Sequence, residues 1–160
     1  MIEKLGVDIG RVIIDRPRDA PRAQTGDALL ADVVPDAIIS LHRLATERFH
    51  DRIFLVSKCG ARRQEETLLW LIKSRFYDLT GIWPSHTYFC RQRHEKADIC
   101  RNLGITHFVD DRLEILGYLT KTVKRLYLFR PRPDEVQKFI QFLPLVRRVE
   151  SWKEMTDELL

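Results

Sequence analysis

The chain has 160 residues, 44% of them hydrophobic and 31% charged, which suits one compact domain over 1–160 and excludes a wholly disordered chain or a large multidomain enzyme. Lys and Arg total 27 against 23 Asp and Glu, a formal net charge of +4 that favours anionic partners without demanding nucleic acid. No apolar run approaches the roughly 18–20 residues that span a bilayer, so no membrane partner is expected. The opening stretch, MIEKLGVDIG, carries Glu3 and Lys4 and turns acidic at Asp8, which does not read as a secretory signal. Cys59, Cys90 and Cys100 form an odd set with no CxxC, the pattern of reduced thiols in a cytoplasmic protein.

Short apolar, β-rich runs alternate with helical patterns. In chain order they predict a strand through LGVDI closing at Asp8, and a helix over 35–49 with Ile38, Ile39, Leu41, Leu44 and Ala45 at helical spacing. A strand RIFLVS closing at Ser57 and a helix over 61–76 carrying Leu68, Leu69, Leu71 and Ile72 follow. Next come a strand HTYFC closing at Cys90, a helix over 96–103 stopped by Gly104, and a strand HFVD closing at Asp110. A helix over 112–119, a strand RLYLF closing at Phe129, and helices over 134–142 and 152–160 complete the set. Near-continuous apolar strands separated by helices predict an α/β fold: a three-layer sandwich around a mainly parallel, Rossmann-like sheet. Residues 15–34 break the alternation with Pro17, Pro21, Gly26 and several charges, and read as a loop or short flap.

The strand ends carry the chemistry. In open α/β sheets ligands bind at the carboxyl edge, where the strand order reverses. Three predicted strands deliver polar groups there, Asp8, Ser57 and the pair Asp110–Asp111, and Lys96 opens the helix before the last of them. A carboxylate nucleophile, further carboxylates for a hard cation, a hydroxyl and an ammonium are the parts of metal-assisted phosphoryl transfer. Each residue also has a plainer reading. Asp8 can end a strand, Asp110 and Asp111 can cap a helix, Lys96 can pair with Glu95 on the surface, and Ser57 can cap the next helix. Lys58, Arg62, Arg63, Arg91 and Arg93 follow strand ends and are positioned to gather an anionic substrate, though surface cations are usually only solvated. The five histidines lack metal-ligand spacing, Cys59 reads as a half-buried thiol, and the three tryptophans read as packing.

The ordered series LGVDIGRVIID, FLVSKCG and HEKADICRNLGITHFVDD resembles the four motifs of the haloacid dehalogenase-like hydrolase superfamily, covering Val7 to Asp111. The resemblance implies Asp8 as nucleophile, Ser57 and Lys96 as phosphoryl-binding groups, and Mg2+ held by Asp8, the Gly10 carbonyl, Asp110 and Asp111. It implies a magnesium-dependent phosphatase acting on a phosphate monoester through an aspartyl-phosphate, with Lys58, Arg91 and Arg93 as candidate substrate contacts. Family phosphatases usually read D-x-D in the first motif, and here the second aspartate is Gly10. Glycine cannot protonate a leaving group, a task usually worth about 10²–10⁴-fold in rate. The alternative is therefore a weak or inactive phosphate- or nucleotide-binding module. Neither gap between motifs houses a cap domain, so a short flap stands in its place. An open site of that kind suits a phosphorylated macromolecule, or a phosphorylated small molecule closed over by a partner subunit in a homodimer. No nucleic-acid motif is present, and nucleic acid ranks last among partners.

Overall fold

The computed structural model describes residues 1–16 and 32–160. Six strands form one sheet in the order β3-β2-β1-β4-β5-β6: β1 (Leu5–Val7), β2 (Ile53–Lys58), β3 (Thr87–Cys90), β4 (His107–Asp110), β5 (Arg125–Phe129) and β6 (Arg147–Val149). All five neighbouring pairs are parallel, so the sheet is wholly rather than mainly parallel. The helices are α1 (Ala37–Leu44), α2 (Ala61–Lys73), α3 (Phe76–Thr80), α4 (Glu95–Leu103), α5 (Leu113–Leu119), α6 (Pro133–Lys138) and α7 (Trp152–Leu159).

The two-residue alternation of the strands builds the two cores. Leu5, Val7, Leu55, Val109 and Phe129 join one apolar cluster with Leu41, Leu71 and Trp152, from α1, α2 and α7. Phe54, Val56, Phe108, Leu126 and Leu128 join the other with Cys100, Leu116 and Val136, from α4, α5 and α6. Helices therefore cover both faces of the sheet, the expected three-layer sandwich. Gly6 pairs with Phe108 across the β1–β4 ladder, and a Cβ there would lie 2.5 Å from the Phe108 ring. Glycine leaves the room above β1 that the Phe108 ring occupies. Gly104 ends α4 at φ 72, the left-handed stop anticipated from its position.

Several boundaries differ from the sequence expectation. The predicted 35–49 helix is α1 continued by a π-helical turn over Ala45–Phe49. The 61–76 helix stops at Lys73, because Arg75 turns left-handed (φ 58) and starts α3. The 134–142 helix is α6 followed by a 3-10 segment, Ile140–Leu145, that contains Pro144. Strand β6 had no sequence signal: it is three residues long, and Arg147 and Arg148 are exposed on this edge of the sheet. The proposed 15–34 flap is anchored at its two ends. The Asp15 amide donates to the Asp32 carbonyl (2.7 Å) and the Val34 amide to the Ile13 carbonyl (2.7 Å). Residues 17–31 lie outside the described residues. Among the described residues no helix is long and apolar enough to cross a membrane.

His107 opens β4 at the edge of the sheet remote from Asp110, with Nδ1 2.8 Å from Thr106 Oγ1 and its ring edge-on to Phe49. Burial, then the nearby Arg48 charge, pushes its imidazole down to about 4. Between 6.5 and 4 the unfolded chain takes up a proton that the folded chain refuses. The His107 contribution is thus complete above pH 6.5 and is lost as pH falls toward 4. Urea unfolding of wild type and His107→Gln checks this: between pH 7 and pH 5 the wild type should lose about 2 kcal/mol more than the variant.

Candidate active site

Strand order reverses between β2 and β4 around β1, which puts the topological switch point at the carboxyl end of β1. Asp8 follows β1 directly, and its amide donates to the Val109 carbonyl at 3.0 Å, locking it beside β4. Val7 and Val109 face the α1–α2–α7 core, so the strand alternation turns Asp8 and Asp110 toward the opposite layer, where α4 packs. Within α4, Lys96 and Cys100 are the buried residues, four apart on the sheet-facing side.

The outcome is a buried ion cluster. Lys96 is 1% exposed, and its Nζ donates to Asp8 Oδ1 (2.9 Å) and Asp110 Oδ2 (2.8 Å). The second Asp110 oxygen accepts the Arg112 amide at 3.0 Å, which closes the turn into α5. Asp111, also buried, lies 3.8 Å from Arg11 Nη1. Burial alone would pull the Lys96 ammonium down, but Asp110 and Asp8 outweigh it and hold it well above the ordinary lysine value. Burial, then the Asp8 charge, pushes Asp110 up to about 6 against the pull of Lys96. Burial, then Asp110 and Asp8, keeps Asp111 well above the usual carboxylate range. The Lys96 ammonium is therefore shared by Asp8 and Asp110, while Asp111 is faced by the Arg11 guanidinium. Asp8, Asp110 and Asp111 each offer an oxygen, all within 4.8 Å of one another, a donor set that fits a hard divalent cation such as Mg2+.

The remaining predicted residues divide. Ser57 is buried in β2, beside β1, and Gly60 precedes α2 with no side-chain cap. Gly10 lies two residues beyond Asp8, next to the turn in which the Arg11 amide donates to the Ile14 carbonyl (2.8 Å). Lys58 is exposed. Arg91 donates from Nη1 to the Cys59 carbonyl and to Gln64 Oε1 (3.0 Å each), and Arg93 Nη1 is 2.9 Å from Glu114 Oε2. Burial pushes the Cys59 thiol up, away from a reactive thiolate. A separate cleft of about 730 Å³, lined by Glu3, Lys4, Arg52 and His86 among others, opens at the amino edge of the sheet and holds none of the three carboxylates.

Two arginines near Asp8 escaped the sequence reading. Arg11 faces Asp111, and its φ of 66 has no signature in a run that reads simply as apolar. Arg16 returns to the site: its Nη1 lies 4.0 Å from where a Cβ on Gly10 would sit, and its Nη2 is 3.5 Å from Thr67 Oγ1 on α2. Burial, then Arg63, lowers the Arg16 guanidinium to about 10, so it is a cation at neutral pH. Arg16 was indistinguishable in sequence from the other charges of the 15–34 segment.

Removing one partner of a buried pair typically costs about 3–5 kcal/mol, because the other charge stays buried. Lys96→Met should lose stability of that order in chemical denaturation. Adding Asp110→Asn should recover part of the loss, and simple additivity of the two changes would show the groups to be uncoupled.

No protein-family model matches the chain. By sequence, 96 residues are 26% identical to a candidate nucleotidase of Oceanobacillus iheyensis, a match to 60% of this chain and 48% of that protein. The chain thus spans about half the length of the curated relative it matches. By structure, it resembles the D,D-heptose 1,7-bisphosphate phosphatase of B. bronchiseptica, solved with magnesium and phosphate, at a TM-score of 0.68 and 15% identity, over 98% of this chain and 97% of that one. The corresponding phosphatase of Burkholderia thailandensis gives a TM-score of 0.63 at 14% identity, over 98% and 97% of the two chains. A candidate haloacid dehalogenase-like hydrolase of Burkholderia xenovorans gives 0.60 at 13%, over 97% and 96%. With its wholly parallel sheet and near-complete coverage of these structures, the chain has the fold of the haloacid dehalogenase-like hydrolases.

Proposed function

We propose that the chain is a magnesium-dependent hydrolase that cleaves phosphate monoesters through an aspartyl-phosphate on Asp8. The observation that carries this reading is the buried Asp8–Lys96–Asp110 bridge, with Asp111 beside it, at the strand switch point. Asp8, Asp110, Asp111 and the Gly10 carbonyl would hold Mg2+, which supplies positive charge to the transferring phosphoryl oxygens. An Asp8 oxygen attacks phosphorus, and the leaving oxygen departs with the electron pair of its bond to phosphorus. Water then attacks phosphorus, restoring the Asp8 carboxylate and releasing inorganic phosphate. Lys96 fixes the Asp8 carboxylate through Oδ1 and offsets charge on the phosphoryl group, and the Ser57 hydroxyl donates to a phosphoryl oxygen. Lys58 is exposed and free to meet an anionic substrate, whereas Arg91 and Arg93 would first give up protein partners.

One domain over 1–160, a short flap and no cap is the organisation that fits this role. The names of the similar proteins, a heptose bisphosphate phosphatase and a candidate nucleotidase, support a phosphorylated small molecule as substrate. An open site would leave its closure to the flap or to a second copy in a homodimer. Three buried, unpaired thiols support a cytoplasmic location.

The test is hydrolysis of 4-nitrophenyl phosphate, an ester that needs little help for its leaving group. Turnover with Mg2+ should vanish on chelation and fall about 10³-fold or more in Asp8→Asn. Mg2+ should also raise the melting temperature of the wild type, with Asp110→Asn losing most of that shift. No turnover, together with a melting temperature indifferent to Mg2+, would overturn the reading.

A further inference from the structure

We propose that Arg16 stands at the leaving-group oxygen in place of a proton donor, so that the site selects activated phosphates, whose leaving group departs as a stable anion. Phosphoanhydrides, acyl phosphates and aryl phosphates belong to this class; phosphates of simple alcohols do not. The inference rests on the proposed hydrolase reading.

The backbone beyond Asp8 brings Arg16 to this place. The Ile14 amide donates to the Ile9 carbonyl (3.1 Å) and the Arg11 amide to the Ile14 carbonyl (2.8 Å), so the chain doubles back on itself. The Asp15–Asp32 and Ile13–Val34 hydrogen bonds pin the returning segment, and the buried Trp152 indole holds its base by donating to the Val12 carbonyl at 2.7 Å. Arg16 is thereby aimed at the space beside Gly10, its Nη1 4.0 Å from the position of the missing Cβ. Its Nη2 touches Thr67 Oγ1, and its buried Nε has no partner among the described residues.

The two cations near Asp8 occupy different depths. Lys96 is enclosed beneath the carboxylate, whereas Arg16 is half-buried, on the α2 side. In-line attack by Asp8 expels the leaving oxygen on the side of phosphorus opposite Asp8, and in this proposal Gly10 and Arg16 border that side. Gly10 has no side chain to deliver a proton there. A guanidinium offers fixed N–H donors and positive charge but holds its proton at neutral pH. Such a group stabilises an oxyanion that is already stable enough to leave, and gives an alkoxide little of the protonation it needs.

Leaving-group dependence tests this directly. Wild type with Mg2+ should hydrolyse 4-nitrophenyl phosphate at least about 10²-fold faster than glycerol phosphate in kcat/KM. Gly10→Asp restores a carboxyl in a space with room for it and should shift that ratio about 10²-fold toward glycerol phosphate. A second readout needs no turnover: calorimetric binding of imidodiphosphate, whose bridging nitrogen resists cleavage, should weaken about 10-fold in Arg16→Gln while inorganic phosphate weakens far less. Equal hydrolysis of both esters by the wild type, or unchanged imidodiphosphate binding in Arg16→Gln, overturns the inference and leaves the hydrolase reading standing. Failure to hydrolyse either ester overturns this inference, and overturns the hydrolase reading as well when the melting temperature is also indifferent to Mg2+.

Discussion

The rest of the site depends on one buried ammonium. Lys96 lies beneath Asp8 and Asp110 with almost no exposure, and ties α4 to the ends of the two central strands. Isolated charges in such a place would be expelled or neutralised, so the cluster persists only because each charge has a partner. Lys96 and Arg11 face three carboxyls, and burial together with the neighbouring carboxylates makes Asp110 and Asp111 resist ionisation. A divalent cation would supply the missing positive charge, which links the geometry of the fold to the chemistry proposed for it.

Much of the surrounding structure serves to hold those groups in register. Gly6 leaves room over β1 for the Phe108 ring of β4, and the Asp8 amide is tied to Val109. Strand alternation then decides which layer the carboxyls face, and the sheet-facing side of α4 decides which cation they meet. On the other side of Asp8, the doubled-back segment through Ile14 carries Arg16 to the space that Gly10 leaves open. One cation is enclosed against Asp8 and Asp110, and the other is half-buried beside Gly10.

The gathering of Asp8, Lys96, Asp110 and Asp111 was legible in the sequence because each sits at the end of a short apolar run or the start of a periodic one. Those are positions where a parallel sheet delivers polar groups to one edge. Strand β6 was not legible, since its two exposed arginines resemble a loop and its pairing with β5 is long-range. The break between α2 and α3 was hidden as well, because a left-handed Arg75 leaves no mark on composition. Arg91 and Arg93 looked free in sequence only because Cys59, Gln64 and Glu114 reach them through tertiary packing. Arg16 was hidden for the same reason: its neighbours, Gly10 and Thr67, come together only after the chain folds back on α2.

Crystals grown with Mn2+ and orthovanadate provide the most direct measurement, because anomalous scattering locates the metal without reference to activity. The predicted result is a single metal ion ligated by Asp8 and Asp110, with the vanadium within bonding reach of Asp8 and its oxygens on Lys96 and Ser57. An intact Lys96 bridge with neither metal nor vanadate beside Asp8, in crystals where both bind elsewhere, would contradict it.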